Sequence, residues 1–510
     1  MADGLRLAEL LAALSLATDL GMGQPLEQAL RTCLIALQLS DRLGLSSDAL
    51  SDVYYLALLR FLGCTADAHE FAELVGGDDI ALRAAIAPVL GGPPGEFASS
   101  VMPRIGAGNG PVRRAQLVFG MMRNGKERLR EGVRAHCELS EHLAQRLGLS
   151  VGVRAGLQAA LEQWSGQGLP NGLKGEQIPL SARIVFVARD VEILYRLGGS
   201  DRVLAAMRTR SGFAYDPAVA EAVVQNAPDL TALAESVSPW DEVLQREPPP
   251  QPVIAESRAE PVLEAFADFV DLKSPYTPGH SREVASLAAR ATPTDATNVR
   301  RAALVHDLGR TSVPNGIWDK PSRLTDGEWE RVRLHPYYSE RILGRVQSLK
   351  SLSVLAGMHH ERMDGSGYHR GSARADVPAG ARVLAAADAY QAMTQARPHR
   401  PAFAAAQAAD ELEQMAKTNR LDAEAVSSVL SAAGHELSKP SRVAWPAGLS
   451  DREVEVLRLI CRGGTKKQVA SLLSISPSTV DHHVRHIYDK AGVQTRAGAT
   501  LFALEHDLLK

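Results

Sequence analysis

Residues able to bind metal ions are concentrated in one part of the chain, and their types suit metal-dependent hydrolysis. In chain order these residues are His306, Asp307, His335, His359, His360 and Asp388. Imidazole and carboxylate side chains together suit first-row divalent metals. Two such ions about 3.5–4 Å apart can activate a water molecule and stabilise both oxygens of a phosphodiester displacement. The pattern therefore predicts a metal centre with hydrolytic chemistry.

The motifs around these residues run in the order GHS, HDLGR, HP, HHERMDGSGYH and ADAYQAM. This ordered set resembles the HD-GYP domains, a branch of the HD phosphohydrolases, over residues 263–435. The resemblance implies an all-helical fold with a two- or three-metal centre that hydrolyses cyclic di-GMP. It implies the same six residues as metal ligands, and Asp307, Arg310 and His280 as the residues of catalysis.

The segment departs from the HD-GYP pattern at three positions. Arg310 stands where the family has lysine, and a forked guanidinium does not do the same job as an ammonium group. His369 replaces the proline of GYP, and Tyr276 replaces a carboxylate that ligates a further metal in some members. We therefore expect two ions, iron, manganese or another first-row metal. The residues expected to meet substrate phosphate are Arg310, Tyr368, Arg397 and Arg400.

An internal repeat precedes this domain. Residues 132–194 align without a gap with residues 331–393, and LALLRFLG upstream resembles AALVHDLG, so the chain contains a tandem duplication. The first copy carries 47 additional residues after Cys64. In it, His306, Asp307, His359, His360 and Asp388 are replaced by Arg60, Phe61, Ala160, Leu161 and Arg189, and His136 alone survives, opposite His335. One histidine cannot build a two-metal site, so this copy is predicted to be non-catalytic.

Two interpretations of the first copy remain open from the sequence. It is either a packing or dimerisation partner, or a sensor pocket in which Arg60 and Arg189 occupy the old metal site and hold an anionic ligand.

Both copies consist mainly of Ala- and Leu-rich helical segments with little strand signal. The predicted fold class is all-α, with two tandem HD-domain-like helical domains and a C-terminal four-helix domain.

Proline and charge divide the chain into predicted domains. The segment 238–262 contains four closely spaced prolines and is expected to be an extended linker, and a second linker is expected at 436–447. The predicted domains are a degenerate HD-GYP-like domain at 1–237, a metal-dependent one at 263–435 and a DNA-binding domain at 448–510.

The last segment has the signals of a helix-turn-helix. Ser450 and Glu453 form a predicted capping box, Pro477 opens a later helix, and Val480, Val484 and Ile487 share one face of it. The segment resembles the LuxR/FixJ/NarL-type domains, which implies a helix docked in the DNA major groove and a dimer. The expected DNA contacts are Lys466, Lys467, Ser478, Thr479, Asp481, His482, His483, Arg485, His486 and Lys490.

Composition limits the remaining possibilities. The net charge is only −3, and the four cysteines are scattered, which suits reduced thiols in the cytoplasm. No run is apolar enough to span a membrane. The sequence predicts a cytoplasmic, homodimeric transcription regulator that binds double-stranded DNA and hydrolyses or senses a cyclic dinucleotide. The alternatives are a non-enzymatic regulator whose HD-like domains bind ligand or dimerise, and an enzyme for another phosphoester.

Overall fold

A computed structural model describes residues 4–435, 445–461, 464–493, 495–506 and 508–509. The chain divides into two compact units, residues 1–435 and 436–510. Within the described ranges, regular structure is helical apart from two three-residue strands, which confirms the all-α prediction. None of the helices in these ranges is both long and apolar enough to cross a membrane.

The first copy opens with strand β1 (Gly4–Arg6) and is otherwise helical. Its helices are α1 (Leu7–Gly21), α2 (Gln28–Arg42), α3 (Ser47–Leu59), α4 (Ala68–Val75), α5 (Asp79–Ile86), α6 (Pro94–Val101), α7 (Pro111–Arg146), α8 (Val151–Gln158), α9 (Leu180–Arg210), α10 (Pro217–Gln225), α11 (Ala227–Ala234) and α12 (Pro239–Gln245). Helix α1 is buried along almost its whole length, because its apolar residues occur on every face.

The second copy opens with strand β2 (Val253–Ala255), which pairs antiparallel with β1. Its helices are α13 (Glu256–Asp271), α14 (His280–Ala291), α15 (Ala296–Val305), α16 (Asn315–Trp318), α17 (Asp326–Arg333), α18 (His335–Leu343), α19 (Lys350–Gly357), α20 (Ala379–Thr394), α21 (Ala405–Lys417) and α22 (Ala423–Ala432). Buried residues of both copies belong to one continuous hydrophobic core. The two copies are therefore packed against each other within a single compact unit.

Equivalent ion pairs occur at equivalent places in the two copies. Asp216 caps the N-terminus of α10 and pairs with Arg183 at 2.6 Å. Asp422 caps α22 in the same way and pairs with Arg382 at 3.2 Å. The two arginines occupy aligned positions of the repeat, so the aligned sequences adopt a shared local structure.

The segment 238–262 is not the extended linker that its prolines predict. Residues 239–245 form α12, residues 253–255 form β2, and α13 begins at Glu256. Trp240 and Val243 are buried, and the carboxylate of Glu247 accepts hydrogen bonds from Tyr55 and Arg6, each at 2.7 Å. The apolar and acidic side chains between the prolines therefore hold the segment against the first copy. The other expected linker, 436–447, falls largely on residues 436–444, which lie outside the described residues.

Residues 65–110, in the stretch that holds the additional residues of the first copy, are called the inserted segment here. They contain α4, α5 and α6 and pack with the first part of α7 around a small hydrophobic core, with Phe71, Leu74 and Leu82 among its buried members. This core is separate from the main one.

The C-terminal unit contains α23 (Asp451–Cys461), α24 (Lys466–Leu472), α25 (Pro477–Ala491) and α26 (Arg496–Glu505). The predicted capping box is present, since the Ser450 N–H donates to the Glu453 carboxylate at 2.7 Å and the Glu453 N–H donates back to Ser450 Oγ at 3.3 Å. Val480, Val484 and Ile487 are buried along one face of α25, as their spacing predicts.

Candidate functional site

Three of the predicted metal ligands lie directly after helix C-termini. His306, His335 and His359 follow the last turns of α15, α17 and α19, and each Nδ1–H donates to the carbonyl three residues earlier at 2.6 Å. Helix C-terminal carbonyls lack partners within their helix. These hydrogen bonds satisfy them, fix the tautomer and leave the lone pair of each Nε2 free to bind a metal.

Asp307 is the carboxylate on which these imidazoles converge. Its Oδ1 lies 3.3 Å from His335 Nε2 and 3.6 Å from His359 Nε2, and its Oδ2 lies 3.5 Å from His306 Nε2. All four side chains are buried. One carboxylate thus faces three imidazole nitrogens, and these side chains would be able to hold a divalent ion together.

Asp388, on α20, is the second carboxylate of the site. Its Oδ1 lies 3.1 Å from His280 Nε2 and 3.9 Å from His306 Nε2, and its Oδ2 lies 3.9 Å from His360 Nδ1. His280 also contacts the side chain of Gln395 through Nδ1, at 2.9 Å. The structure therefore places His280, which the sequence predicted as a catalytic residue, among the side chains that could bind a metal.

The donor atoms fit a metal-binding role. Three overlapping groups have ligand atoms within 4.8 Å of one another, and they are His280–His306–Asp388, His306–Asp307–His359 and His335–His359–His360. Nε2 of His306 and Nδ1 of His360 are buried and have no hydrogen-bond partner among the residues that the structure describes. Buried polar atoms without partners are uncommon and costly, and a divalent cation would satisfy both of these nitrogens.

The electrostatics of the cluster favour the protonation states that bind metals. Burial alone raises the pKa of Asp307, but the charges of His306 and Arg310 outweigh it and hold this pKa well below its usual range. Burial lowers the pKa of His359 to about 4, and burial beside His359 also holds the pKa of His360 well below its ordinary value. Anionic carboxylates and neutral imidazoles are the forms that ligate divalent ions.

The cluster lies in a cavity of about 850 Å³. Arg310 lines it, with its guanidinium 3.0 Å from Asp307 and stacked on Trp318 at 4.1 Å from the ring centroid. The Trp318 indole N–H in turn donates to the Arg310 carbonyl at 3.2 Å. Arg310 is therefore held by an ion pair on one side and an aromatic ring on the other, with its charge presented to the cavity.

The other predicted phosphate-binding residues differ in how strongly their side chains are already hydrogen-bonded within the protein. Arg397 lines the cavity, and its guanidinium makes longer hydrogen bonds, of 3.3–3.5 Å, to the carbonyls of Ala392 and Tyr276 and to Gln395 Oε1. Burial together with the nearby charge of Arg310 lowers its pKa to about 10. Arg400 also lines the cavity, but its guanidinium donates to several backbone carbonyls, the closest that of Ala392 at 2.6 Å. Tyr368 lies against His360, with ring centroids 4.4 Å apart. Arg397 is thus better placed than Arg400 to meet an anion.

Glu361 is an organising residue to which the sequence analysis assigned no role. Its carboxylate accepts the N–H of Arg370 at 3.1 Å and that of Ser372 at 2.7 Å, and so holds the loop that carries Tyr368. In the first copy, Glu162 accepts three backbone N–H groups of the equivalent loop. A glutamate that survives in both copies while the ligands do not is the signal that identifies a structural carboxylate.

Among the described residues, every group of side chains that could hold a metal ion lies in the second copy, and the first copy has none. Arg60 is buried, with its guanidinium 4.2 Å from the centroid of the Phe61 ring, and none of the three guanidinium nitrogens hydrogen-bonds to a residue within the described ranges. Arg189 instead pairs with the neighbouring Asp190. The surviving His136 contacts the carbonyl of Arg60 at 3.2 Å. The cationic replacements therefore occupy the place of the former ligands.

In the C-terminal unit, the predicted DNA contacts lie on α24 and α25. Lys466, Lys467, Ser478, His482, Arg485, His486 and Lys490 are exposed, whereas Thr479, Asp481 and His483 are half-buried. Asp481 pairs with Lys466 and, at 2.7 Å, with Arg485, and Lys490 pairs with Glu453 at 2.6 Å. The structure thus brings the predicted residues to neighbouring surfaces and engages three of the cations in ion pairs.

Comparison with known proteins agrees with both sites. The profile of the HD domain matches residues 124–219 and 264–425, and that of bacterial regulatory proteins of the luxR family matches residues 447–503. The chain is 33% identical over 413 residues to the 3'3'-cGAMP-specific phosphodiesterase 3 of Vibrio cholerae, a match that covers 78% of this chain and 88% of that protein. It is also 40% identical over 119 residues to a cyclic di-GMP phosphodiesterase of Pseudomonas aeruginosa, covering 23% and 28% of the two chains.

A crystal structure of a cyclic GMP-AMP-specific phosphodiesterase from V. cholerae superposes with a TM-score of 0.60 at 27% identity, covering 86% of this chain and 99% of that one. The chain therefore belongs to the HD domain family of cyclic-dinucleotide phosphodiesterases, and its C-terminal unit is a LuxR-type DNA-binding domain. The family resemblance inferred from the motifs is confirmed. The histidine and aspartate groups of the second copy could hold a divalent metal, as HD-domain phosphodiesterases require.

Proposed function

We propose that the second copy is a metal-dependent phosphodiesterase acting on a cyclic dinucleotide, and that the C-terminal unit couples this activity to DNA. The observation that carries the proposal is the convergence of seven ligand-type side chains at a cavity of about 850 Å³ whose lining also supplies arginines. A cavity of this size is in the usual range for a small-molecule site.

The residues that would hold the metal are His306, Asp307, His335, His359, His360 and Asp388, with His280 beside Asp388. We propose two first-row ions, iron or manganese, because nitrogen and oxygen donors in this mixture suit those metals. Bound there, the metal supplies a Lewis acid and an activated water for phosphodiester hydrolysis. The chain contributes by keeping both carboxylates ionised and by orienting His306, His335 and His359 through their backbone hydrogen bonds.

Substrate recognition would rest on the cations and rings of the cavity. Arg310 and Arg397 line the same cavity, so two positive charges are available to phosphate oxygens. Trp318, Tyr276 and Tyr368 add aromatic surface on which bases can stack. A ligand with two anionic phosphodiesters and two planar bases matches both features.

The choice between nucleotides is part of the proposal. The motif resemblance favours cyclic di-GMP, whereas the relative with the longest coverage given above is specific for 3'3'-cGAMP. The aromatic rings and arginines named above recognise rings and phosphates that both molecules share. Both nucleotides are therefore to be tested side by side.

For the C-terminal unit we propose binding of double-stranded DNA as a homodimer, with α25 in the major groove. Lys466, Lys467 and Arg485 would meet phosphates and set the position of the helix, while His482 is exposed on α25 for base contacts. Asp481 would keep Lys466 and Arg485 in place through its ion pairs.

The decisive experiment measures hydrolysis of cyclic di-GMP and of 3'3'-cGAMP by the full chain, prepared anaerobically with Mn²⁺ or Fe²⁺. Asp307→Asn is expected to lower metal affinity by about 10–100-fold and to abolish turnover. Asp410→Asn, on an exposed face of α21, is the matched control and should behave as the parent chain. Full metal occupancy without hydrolysis of either nucleotide would instead support the non-enzymatic regulator.

A further inference from the structure

One side of the catalytic cavity is formed by residues 313–331, called the wall here. Ile317, Trp318, Lys320, Leu324 and Trp329 of this stretch line the cavity. The wall has a small hydrophobic core of its own, separate from the main core. Its regular structure consists of the four-residue α16 and the first six residues of α17, with an irregular stretch between them. Contacts from outside can therefore set its position.

The inserted segment of the first copy supplies a buried contact at the start of the wall. The Asp79 carboxylate accepts the Asn315 N–H at 2.8 Å, and its other oxygen faces the Lys273 ammonium at 3.8 Å. All three residues are buried. Asp79 therefore ties the wall to the inserted segment through a buried hydrogen bond with a cationic side chain facing its other oxygen.

Three further contacts extend this attachment along the wall. His69 lies 2.8 Å from the Asp319 carboxylate, through Nδ1. A Cβ added to Gly316 would lie 2.5 Å from the carbonyl oxygen of Gly77, so the two backbones touch. At the far end of the wall, Arg331 pairs with Asp78 of the inserted segment at 3.0 Å. The inserted segment therefore contacts both ends of the wall.

We infer that the inserted segment is a clasp that positions the wall, so that the non-catalytic copy is required for substrate binding by the catalytic one. Asp79 and His69 are absent from the cavity lining and are thus positioning residues. The inference rests on the proposed function for its kinetic consequence, and it accounts for the residues that the first copy has and the second lacks. The geometry of the wall is in this way set by the degenerate copy.

The test compares Asp79→Ala and Asp79→Asn with Asp216→Ala in the full metal-loaded chain. Asp216 is the matched control. Like Asp79 it is a buried aspartate of the first copy that accepts a backbone N–H and faces a basic side chain, but both of its partners belong to the first copy. Steady-state kinetics give KM and kcat, and hydrogen–deuterium exchange reports the protection of residues 313–331 independently of turnover.

Asp79→Ala is expected to raise KM about tenfold with a smaller change in kcat and to speed exchange in residues 313–331. Asp79→Asn, which keeps the acceptor but not the charge, should give a smaller change in the same direction. Asp216→Ala should lower the melting temperature while leaving KM and the exchange of the wall unchanged. If Asp79→Ala alters neither KM nor the exchange of the wall, the clasp is wrong. If the parent chain hydrolyses neither nucleotide, the proposed function fails, and the exchange data alone decide the clasp.

Discussion

At the scale of single residues, three imidazoles of the centre are oriented by the turn that precedes them in the chain. Because the Nδ1–H groups of His306, His335 and His359 donate to carbonyls three residues earlier, their Nε2 atoms are left free toward the site. Asp307 follows His306 directly in the chain, so its carboxylate lies beside these imidazoles.

At the same scale, the first copy has a buried arginine where the second copy has a predicted metal ligand. Arg60 is buried, and its guanidinium stacks on Phe61 at 4.2 Å but makes no hydrogen bond to any residue that the structure describes. Burying a guanidinium without hydrogen bonds costs free energy that the ring contact offsets only in part. We expect Arg60→Met to stabilise the unit 1–435 by about 1–4 kcal/mol, as when buried charges are replaced by well-packed apolar groups. Calorimetry of the full chain gives the change. Arg189→Met is the contrasting variant, since it leaves the buried Asp190 with one pairing fewer and should destabilise the unit. A loss of stability with Arg60→Met would show that this arginine has an anionic partner.

A pH dependence follows from His359. Burial lowers its pKa in the folded chain to about 4, from an ordinary value of 6.5. Between these values the unfolded chain binds a proton that the folded chain does not, so the stability contributed by neutral His359 falls as the pH drops through this window. Thermal unfolding of metal-free protein between pH 7 and 4.5 should show the decline. It should be shallower for His359→Gln, and equal slopes in the two proteins would contradict the assignment.

At the scale of elements, one glutamate organises the loop that covers the centre. Glu361→Gln weakens the acceptor for the Arg370 and Ser372 N–H groups, so the loop carrying Tyr368 should loosen. We expect KM to rise about three- to tenfold with the metal content retained, because hydrogen bonds to a charged acceptor exceed neutral ones by roughly 1 kcal/mol. Glu162→Gln makes the same change in the first copy and should lower stability without altering KM. If the two variants have the same KM and kcat, Glu361 has no role in substrate binding.

At the scale of the whole molecule, the chain consists of two compact units, and the groups that could hold a metal ion, as far as the described residues show, lie in the unit 1–435. A ligand that binds the folded state stabilises the unit that binds it. Chelation is therefore expected to lower the melting temperature of the unit 1–435 by several degrees and to leave the transition of the C-terminal unit in place. Differential scanning calorimetry with and without Mn²⁺ measures both transitions. Asp307→Asn should abolish the metal-dependent shift, and a shift of both transitions together would contradict the division.

The sequence by itself determined the features that depend on neighbouring residues. Helix caps such as Ser450 with Glu453 and the apolar face of α25 are local patterns, and the structure contains them. The order of the histidines and aspartates was likewise enough to indicate the family, because metal chemistry restricts which side chains can serve as ligands.

Only the tertiary structure decided what depends on residues far apart in the chain. The segment 238–262 folds because Tyr55 and Arg6 bind Glu247, and Arg400 turns to backbone carbonyls rather than to the cavity alone. The contact of Asp79 with Asn315 joins the two copies across more than two hundred residues. Such contacts follow from how helices pack, and no local periodicity or motif encodes which side chains a packed interface brings together.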